Sequence, residues 1–208
     1  MFSKYGAMFG LDARIALAIF GALSVISGAA LYSAIKKANT EKAHQMLVEL
    51  NKASEAYYLD NGKPVPQDNT VLAYASDLVN NRESLSTWKG PYIDGSVFGT
   101  HFIKNSMTNN LDSNISIAIY LQKNSTWSVN TGVQTCASVG DSDCVETIML
   151  GPSGNASAES KLLTLFNDLD EALDNSDGAL AGKIRYLNYA AGTDDRLVYM
   201  GIPRKRTQ

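Results

Sequence analysis

Residues able to do chemistry are few in this 208-residue chain, and they are scattered. His44 and His101 are its only histidines, and neither has a nucleophile or a metal ligand at motif spacing. No G-x-S-x-G, H-E-x-x-H or P-loop pattern occurs. Enzymatic activity is therefore the weakest of the function classes. Cys136 and Cys144, in "CASVGDSDC", flank Gly140 and lack the spacing of a zinc knuckle. They are read as a short disulfide loop in an oxidising compartment, with two unpaired thiols as the alternative. The stretches "SVGDSDC", "LDNSDG" and "GTDDR" are acidic turns. Calcium takes about six to eight oxygens, and none of the three has EF-hand spacing. They are expected to be solvated turns, with no metal site assigned.

The formal net charge is −3, which leaves no electrostatic footprint for nucleic acid. The one dense basic cluster, Arg204-Lys205-Arg206, reads as a solvated tail.

What would position any working residue is dominated by one segment. From Ile15 to Ile35 no residue is charged. At a helical rise this run spans about 32 Å, close to a bilayer's hydrocarbon core of about 30 Å. It is longer than the apolar region of a cleaved secretory signal, and it continues without a proline until Pro64. Beyond it, Ala43, Met46, Leu47, Leu50, Ala53, Ser54, Tyr57 and Tyr58 recur at three- and four-residue steps. Lys42, Glu49, Lys52 and Glu55 fall largely elsewhere. One helix is predicted from about Asp12 to Asp60, apolar all round in its first half and amphipathic in its second. The apolar half is rich in Gly, Ala and Ser. That suits close helix packing and an ordinary membrane anchor equally well. Asp12, at the edge of the run, has three readings. It is an N-cap or first-turn acid favoured by the helix dipole, a local partner of Arg14, or a partner for a positive charge on a neighbouring chain.

After the helix come "YYLDNGKPVPQDN" and then "TWKGPYIDG". With the N-terminal helix, these resemble the type IV pilin-like proteins, and most of all the major pseudopilin of type II secretion systems. That family has a helix ending near an "LDNGxYP" turn and then a "W-(K)-GPY" segment. Here the matching residues are Leu59, Asp60, Asn61 and Gly62 with Pro64 or Pro66, and Trp88, Lys89, Gly90, Pro91 and Tyr92. Aligning the turn without gaps implies cleavage between Ala7 and Met8, with Gly6 and Ala7 as the alternative pair. Asp12 is then the fifth mature residue, where the family has glutamate. The resemblance covers roughly residues 1 to 95. The chain departs from the family in having Ala7 before the cut, Asp for Glu, and Gly28-Ala29-Ala30 where the family has a proline.

The resemblance implies a leader peptide (1–7), a long helix (8–60, with 15–35 spanning the membrane or filling a filament core) and a globular domain (61–208). It implies processing by a prepilin peptidase, help from an assembly machinery, and a homo-oligomeric helical filament. The protein would lie in a bacterial inner membrane and then in a periplasmic or extracellular filament. It also raises calcium, bound in a loop, with ligands that cannot be placed residue by residue; no other cofactor is expected. Trp88 and Tyr92 are expected to pack the turn onto the helix. A single-span anchor carrying a non-polymerising periplasmic binding or sensor domain is the competing class.

The remaining pattern predicts an α+β, pilin-like fold. A short helix is read over 77–87. Strands are read in "SNISIAIYLQ", half-buried through Ile115, Ile117, Ile119 and Leu121, and in "STWSVNT" and "CVETIML". An amphipathic helix covers 155–175, with Leu162, Leu165, Phe166, Leu169 and Leu173 on one face. "GKIRYLNYA" and "DRLVYMG" form a closing hairpin.

Overall fold

A computed structural model describes residues 6–68, 72–123, 144–187 and 195–200, with Gly6 to Phe9, Leu11 and Cys144 described by backbone alone. It divides into two units, Met1–Glu41 and Lys42–Gln208. The division falls inside the first helix, α1 (Gly6–Asn61). The amphipathic half of α1 therefore belongs with the globular unit, and the apolar half is a unit of its own.

The globular unit is built on an antiparallel sheet. Its strands are β1 (Leu72–Ala73), β2 (Ser96–Phe98), β3 (Phe102–Lys104), β4 (Ile115–Lys123), β5 (Cys144–Pro152), β6 (Ile184–Leu187) and β7 (Arg196–Tyr199). Their order is β2-β3-β4-β5-β7-β6, with β1 paired to β4 through Leu72↔Tyr120 and Ala73↔Ile119. The β4–β5 pair is the spine, in register from Ile115↔Pro152 to Lys123↔Cys144. The closing hairpin forms as read, Ile184↔Tyr199 to Leu187↔Arg196, and β7 turns inward to pair with β5.

Two helices follow β3 and β5. In α2 (Ser106–Leu111), Asn105 and Thr108 form a capping box. In α3 (Ala156–Leu173), the Asn155 side chain accepts from the N–H groups of Ser157 and Ala158. The faces of α1 and α3 fill one core with the sheet. Ala43, Met46, Leu47, Leu50, Ala53 and Tyr57 come from α1, and Leu162, Leu165, Phe166 and Leu169 from α3. Tyr58 stays partly exposed. Ser54 Oγ donates to Glu146 Oε1, tying α1 to β5.

Two expectations change. The half-buried β4 is buried on both faces, because a second cluster of Val145, Met149, Leu187, Val198 and Met200, with Tyr120 against it, occupies the sheet side away from the helices. The short helix read over 77–87 is a single 3-10 turn, Ala75–Leu78. Asn81 then closes a turn by pairing its side chain with the backbone N–H and carbonyl of Leu85, which competes with helix continuation. The predicted strand "STWSVNT" lies outside the described residues.

Lys161 Nζ on α3 lies 2.9 Å from Asp112 Oδ2, just ahead of β4. Lys161 first, then the Asn114 N–H, hold the Asp112 carboxyl down at about 2. A folded value below the unfolded one contributes stability that is complete above about pH 4 and lost as pH falls through the folded value. Asp112→Asn is therefore expected to flatten the acid side of the stability profile. Urea midpoints measured from neutral pH downward test this, and identical slopes for both proteins would refute it.

Candidate functional site

The chain's functional geometry lies in three places: the corner where α1 ends, the apolar half of α1, and the loop after α3. The corner gathers the residues of "LDNG" and "WKGPY". Gly62, with φ of 66°, stops α1, and its N–H donates to the Tyr58 carbonyl at 2.8 Å. A left-handed residue after a helix favours glycine, which has no Cβ to clash. Asn61 turns its amide on both partners of the corner. Its Nδ2 donates to the Tyr57 carbonyl (2.9 Å) and to Tyr92 Oη (3.3 Å), and its Oδ1 accepts from Thr87 Oγ1 (2.7 Å). Tyr92 Oη also accepts from the Lys89 N–H at 3.1 Å. Lys89 Nζ reaches Asp60 at 3.2 Å, an exposed pair of little energetic weight.

Aromatic packing completes the corner. Tyr92 meets Tyr57 edge-on at 5.6 Å and Trp88 edge-on at 5.7 Å. The Trp88 indole N–H donates to the Asp77 carbonyl (2.9 Å), and the Tyr92 N–H donates to the Leu78 carbonyl (2.8 Å). Gly90 lies against the indole face, where an added Cβ would stand 2.4 Å from Trp88 Cζ2. The Gly90–Pro91 peptide is cis. Beneath the corner, Asp77 is buried and receives Arg82 through Nε (2.9 Å) and Nη2 (3.3 Å). Burial pushes the Asp77 carboxyl up, and Arg82 pulls it back. Tyr57 is fully buried, and its hydroxyl has no hydrogen-bond partner among the described residues. Burial, and after it the charges of Asp77 and Glu83, push this phenol well above its ordinary range.

The apolar half of α1 has the opposite character. Ile15, Leu17, Ile19, Phe20, Leu23 and Val25 are each more than half exposed, as are the large apolar residues from Ile26 to Ile35. Ser24 folds its hydroxyl back onto the Phe20 carbonyl at 2.8 Å, which satisfies it without water. By length and composition this segment is apolar enough to cross a membrane. Asp12 is exposed. It is not an N-cap, because α1 already begins at Gly6 and carries Asp12 inside its second turn. Gly6, Ala7 and Met8 lie in the first helical turn, and their side chains are outside the description.

The third place is the loop from α3 to β6. Asp170, Asp174 and Asp177 bring carboxylate oxygens within 4.8 Å of one another. Asp174 Oδ2 accepts from the N–H groups of Lys183 and Ile184, both at 2.7 Å. Asp170 Oδ2 accepts from the Gly178 N–H at 3.3 Å.

Residues 30–112 match the family model for "Type II secretion system (T2SS), protein G". Over that segment the chain is similar to this family. Comparison with curated proteins and with solved structures found no match. The matched segment runs from the end of the apolar run through α2. It contains the whole corner, and it leaves Asp12, β4 to β7, α3 and the acidic loop outside.

The structure brings Asp60, Asn61, Gly62, Trp88, Gly90, Pro91 and Tyr92 into that corner. The predicted Cys136–Cys144 pairing lies outside the described residues. Sequence reasoning missed Asp77 and Arg82, whose pairing depends on a 3-10 turn that carries no periodic signal. It also missed Asp170, which it read only as part of the helix; a carboxylate one turn before "LDNSDG" was the available clue.

The two findings at the corner give opposite expectations. Gly90→Ala must displace the indole and is expected to destabilise the protein by about 1–3 kcal/mol, as for overpacked sites. Tyr57→Phe removes an unpaired buried hydroxyl and keeps the ring, so it should be neutral or stabilising by up to about 1 kcal/mol. Guanidinium unfolding of both variants decides between these outcomes and their reverse.

Proposed function

We propose that this chain is a structural subunit that is held in the bacterial inner membrane by the apolar half of α1 and then polymerises into a pseudopilus or pilus filament. The observation carrying the reading is the match over residues 30–112, joined to a helix whose apolar half has no cover among the described residues. Such a surface needs lipid or other helices around it. Both are available in turn to a subunit that leaves the membrane for a filament core. Head-to-tail, non-closing contacts between identical subunits extend as a helical fibre.

Asp12 is assigned to assembly. After a prepilin peptidase removes residues 1–7, the new amine at Met8 on one subunit meets the Asp12 carboxylate of a neighbour. In a low-dielectric core each charge offsets the desolvation of the other, and their pairing fixes axial register. The corner has a supporting part: it fixes where the helix stops and anchors that end to the sheet. The globular unit then forms the filament's outer surface.

Asp12→Ala is expected to leave the amount of membrane-inserted protein unchanged and to reduce sheared filament yield by tenfold or more. Intact mass of the wild-type protein should show a start at Met8, or at Ala7 if the cut follows Gly6. Normal filaments from Asp12→Ala would overturn the assigned role. A chain retaining residues 1–7 in the assembled fraction would overturn processing and favour a non-polymerising anchor with a periplasmic binding or sensor domain.

A further inference from the structure

Outside those three places, the sheet face away from the helices carries a groove of about 230 Å³. Strand alternation builds it. Ile115, Ile117 and Ile119 of β4 turn into the core, so Ser116, Ala118 and Tyr120 turn to the groove. Its floor is two cross-strand pairs with small members, Ser116 opposite Gly151 and Ala118 opposite Met149. Phe98 and Phe102, paired between β2 and β3, wall one side. A Cβ at Gly151 would come no closer than 3.9 Å to its nearest neighbour, the Arg196 side chain, so the space above the floor is open there.

Arg196, on β7, closes the other side. Its Nη1 reaches across β5 to Tyr120 Oη (2.6 Å) and to Met149 Sδ (3.7 Å). Its guanidinium lies 5.3 Å from the centre of the Tyr120 ring. At the opposite wall, Lys104 Nζ stands 3.6 Å over the Phe98 ring. Both cations therefore lie against rings that line the groove. Among the described residues no carboxylate lines it, although the chain as a whole carries a formal charge of −3.

We propose that this groove binds a small aromatic carboxylate, with its ring on the Ala118–Met149 floor and its carboxylate on Arg196. The walls select the ring, because Phe98, Phe102 and Tyr120 offer faces and edges for aromatic packing. Charge selects the acid, since a guanidinium fork matches a carboxylate. Strands β3, β4, β5 and β7 are already paired with one another, so the floor offers no main-chain ladder to an extended peptide. The volume lies below the roughly 300–1,000 Å³ of pockets for drug-sized ligands, which limits the ligand to one or two rings. The floor and Arg196 lie beyond the family-matched segment, so that match assigns the groove nothing. It also stands apart from the filament reading, because one unassembled chain forms it and α1 packs on the other face of the sheet.

Methyl NMR of the full chain in detergent, with isotope-labelled methionine methyls and naphthoate as the probe, tests the assignment. The Met149 signal, identified by its loss in Met149→Leu, is expected to shift and saturate. Met46 and Met107, on the helix side of the sheet, should not move. Naphthylmethanol, with the same rings and no charge, should bind about tenfold more weakly, and octanoate, charged without a ring, should also bind more weakly. Arg196→Gln should bind acid and alcohol alike. Gly151→Val sets a branched side chain over the floor in a strand that favours one. It should keep the wild-type Met46 and Met107 signals and lose both ligands. A Met149 shift that is absent, fails to saturate or is shared by Met46 and Met107 would overturn the proposal. So would equal affinity of the wild type for acid and alcohol, or undiminished binding by Gly151→Val. Tighter binding of octanoate, or of a peptide ending in phenylalanine, would overturn it in favour of an acyl chain or a protein terminus.

Discussion

An apolar helical surface with no cover among the described residues is the constraint that organises this molecule. Burying a large apolar side chain is worth about 1.5–3 kcal/mol. The row of exposed Leu, Ile, Val and Phe between Ile15 and Ile35 therefore represents a free-energy gain that packing among the described residues leaves uncollected. The globular unit begins only at Lys42, and its share of α1 has the amphipathic pattern of a helix docked on a sheet. One continuous element thus obeys two rules of composition. The change from one to the other falls at the lysines and Glu41 that follow Ile35, just ahead of the globular unit.

The corner at the end of α1 shows why short motifs can have strict content. Asn61 needs an amide, because it donates to Tyr57 and Tyr92 while accepting from Thr87. Gly62 needs its left-handed backbone, and Gly90 needs the absence of a Cβ against the Trp88 ring. Each residue constrains the next, so a match to "LDNG" and "WKGPY" reports a piece of three-dimensional packing. It carries no information about β4 to β7 or α3, which follow their own patterns.

Those patterns were legible where period was strong. The alternation of Ile115, Ile117 and Ile119 marked β4, and the Leu162-to-Leu169 face marked α3. Legibility failed where structure is supplied by a partner. β1 is two residues long and exists because β4 offers it a ladder. β2 and β3 are three residues each, joined through Gly99 with φ of 69°. The double burial of β4 was unreadable because Ser116 and Tyr120 look like a solvent face. The acidic cluster failed for a different reason. Its three members sit at 170, 174 and 177, a spacing that suits a helix face, yet they converge only because the chain leaves the helix and reverses at Asn175 and Ser176.

Asp12 and the acidic loop pose the same electrostatic question at different strengths. A lone exposed carboxylate such as Asp12 is solvated at little cost, and it needs a partner only where its helix is buried. Three carboxylates within 4.8 Å carry their repulsion in the single chain. Each like-charged pair at that separation is worth about 1 kcal/mol in water and several times more where the effective dielectric falls to about 20. Backbone N–H donors to Asp170 and Asp174 relieve part of this, but they are dipoles and leave the net charge in place. The loop is therefore under electrostatic load as soon as the globular unit folds.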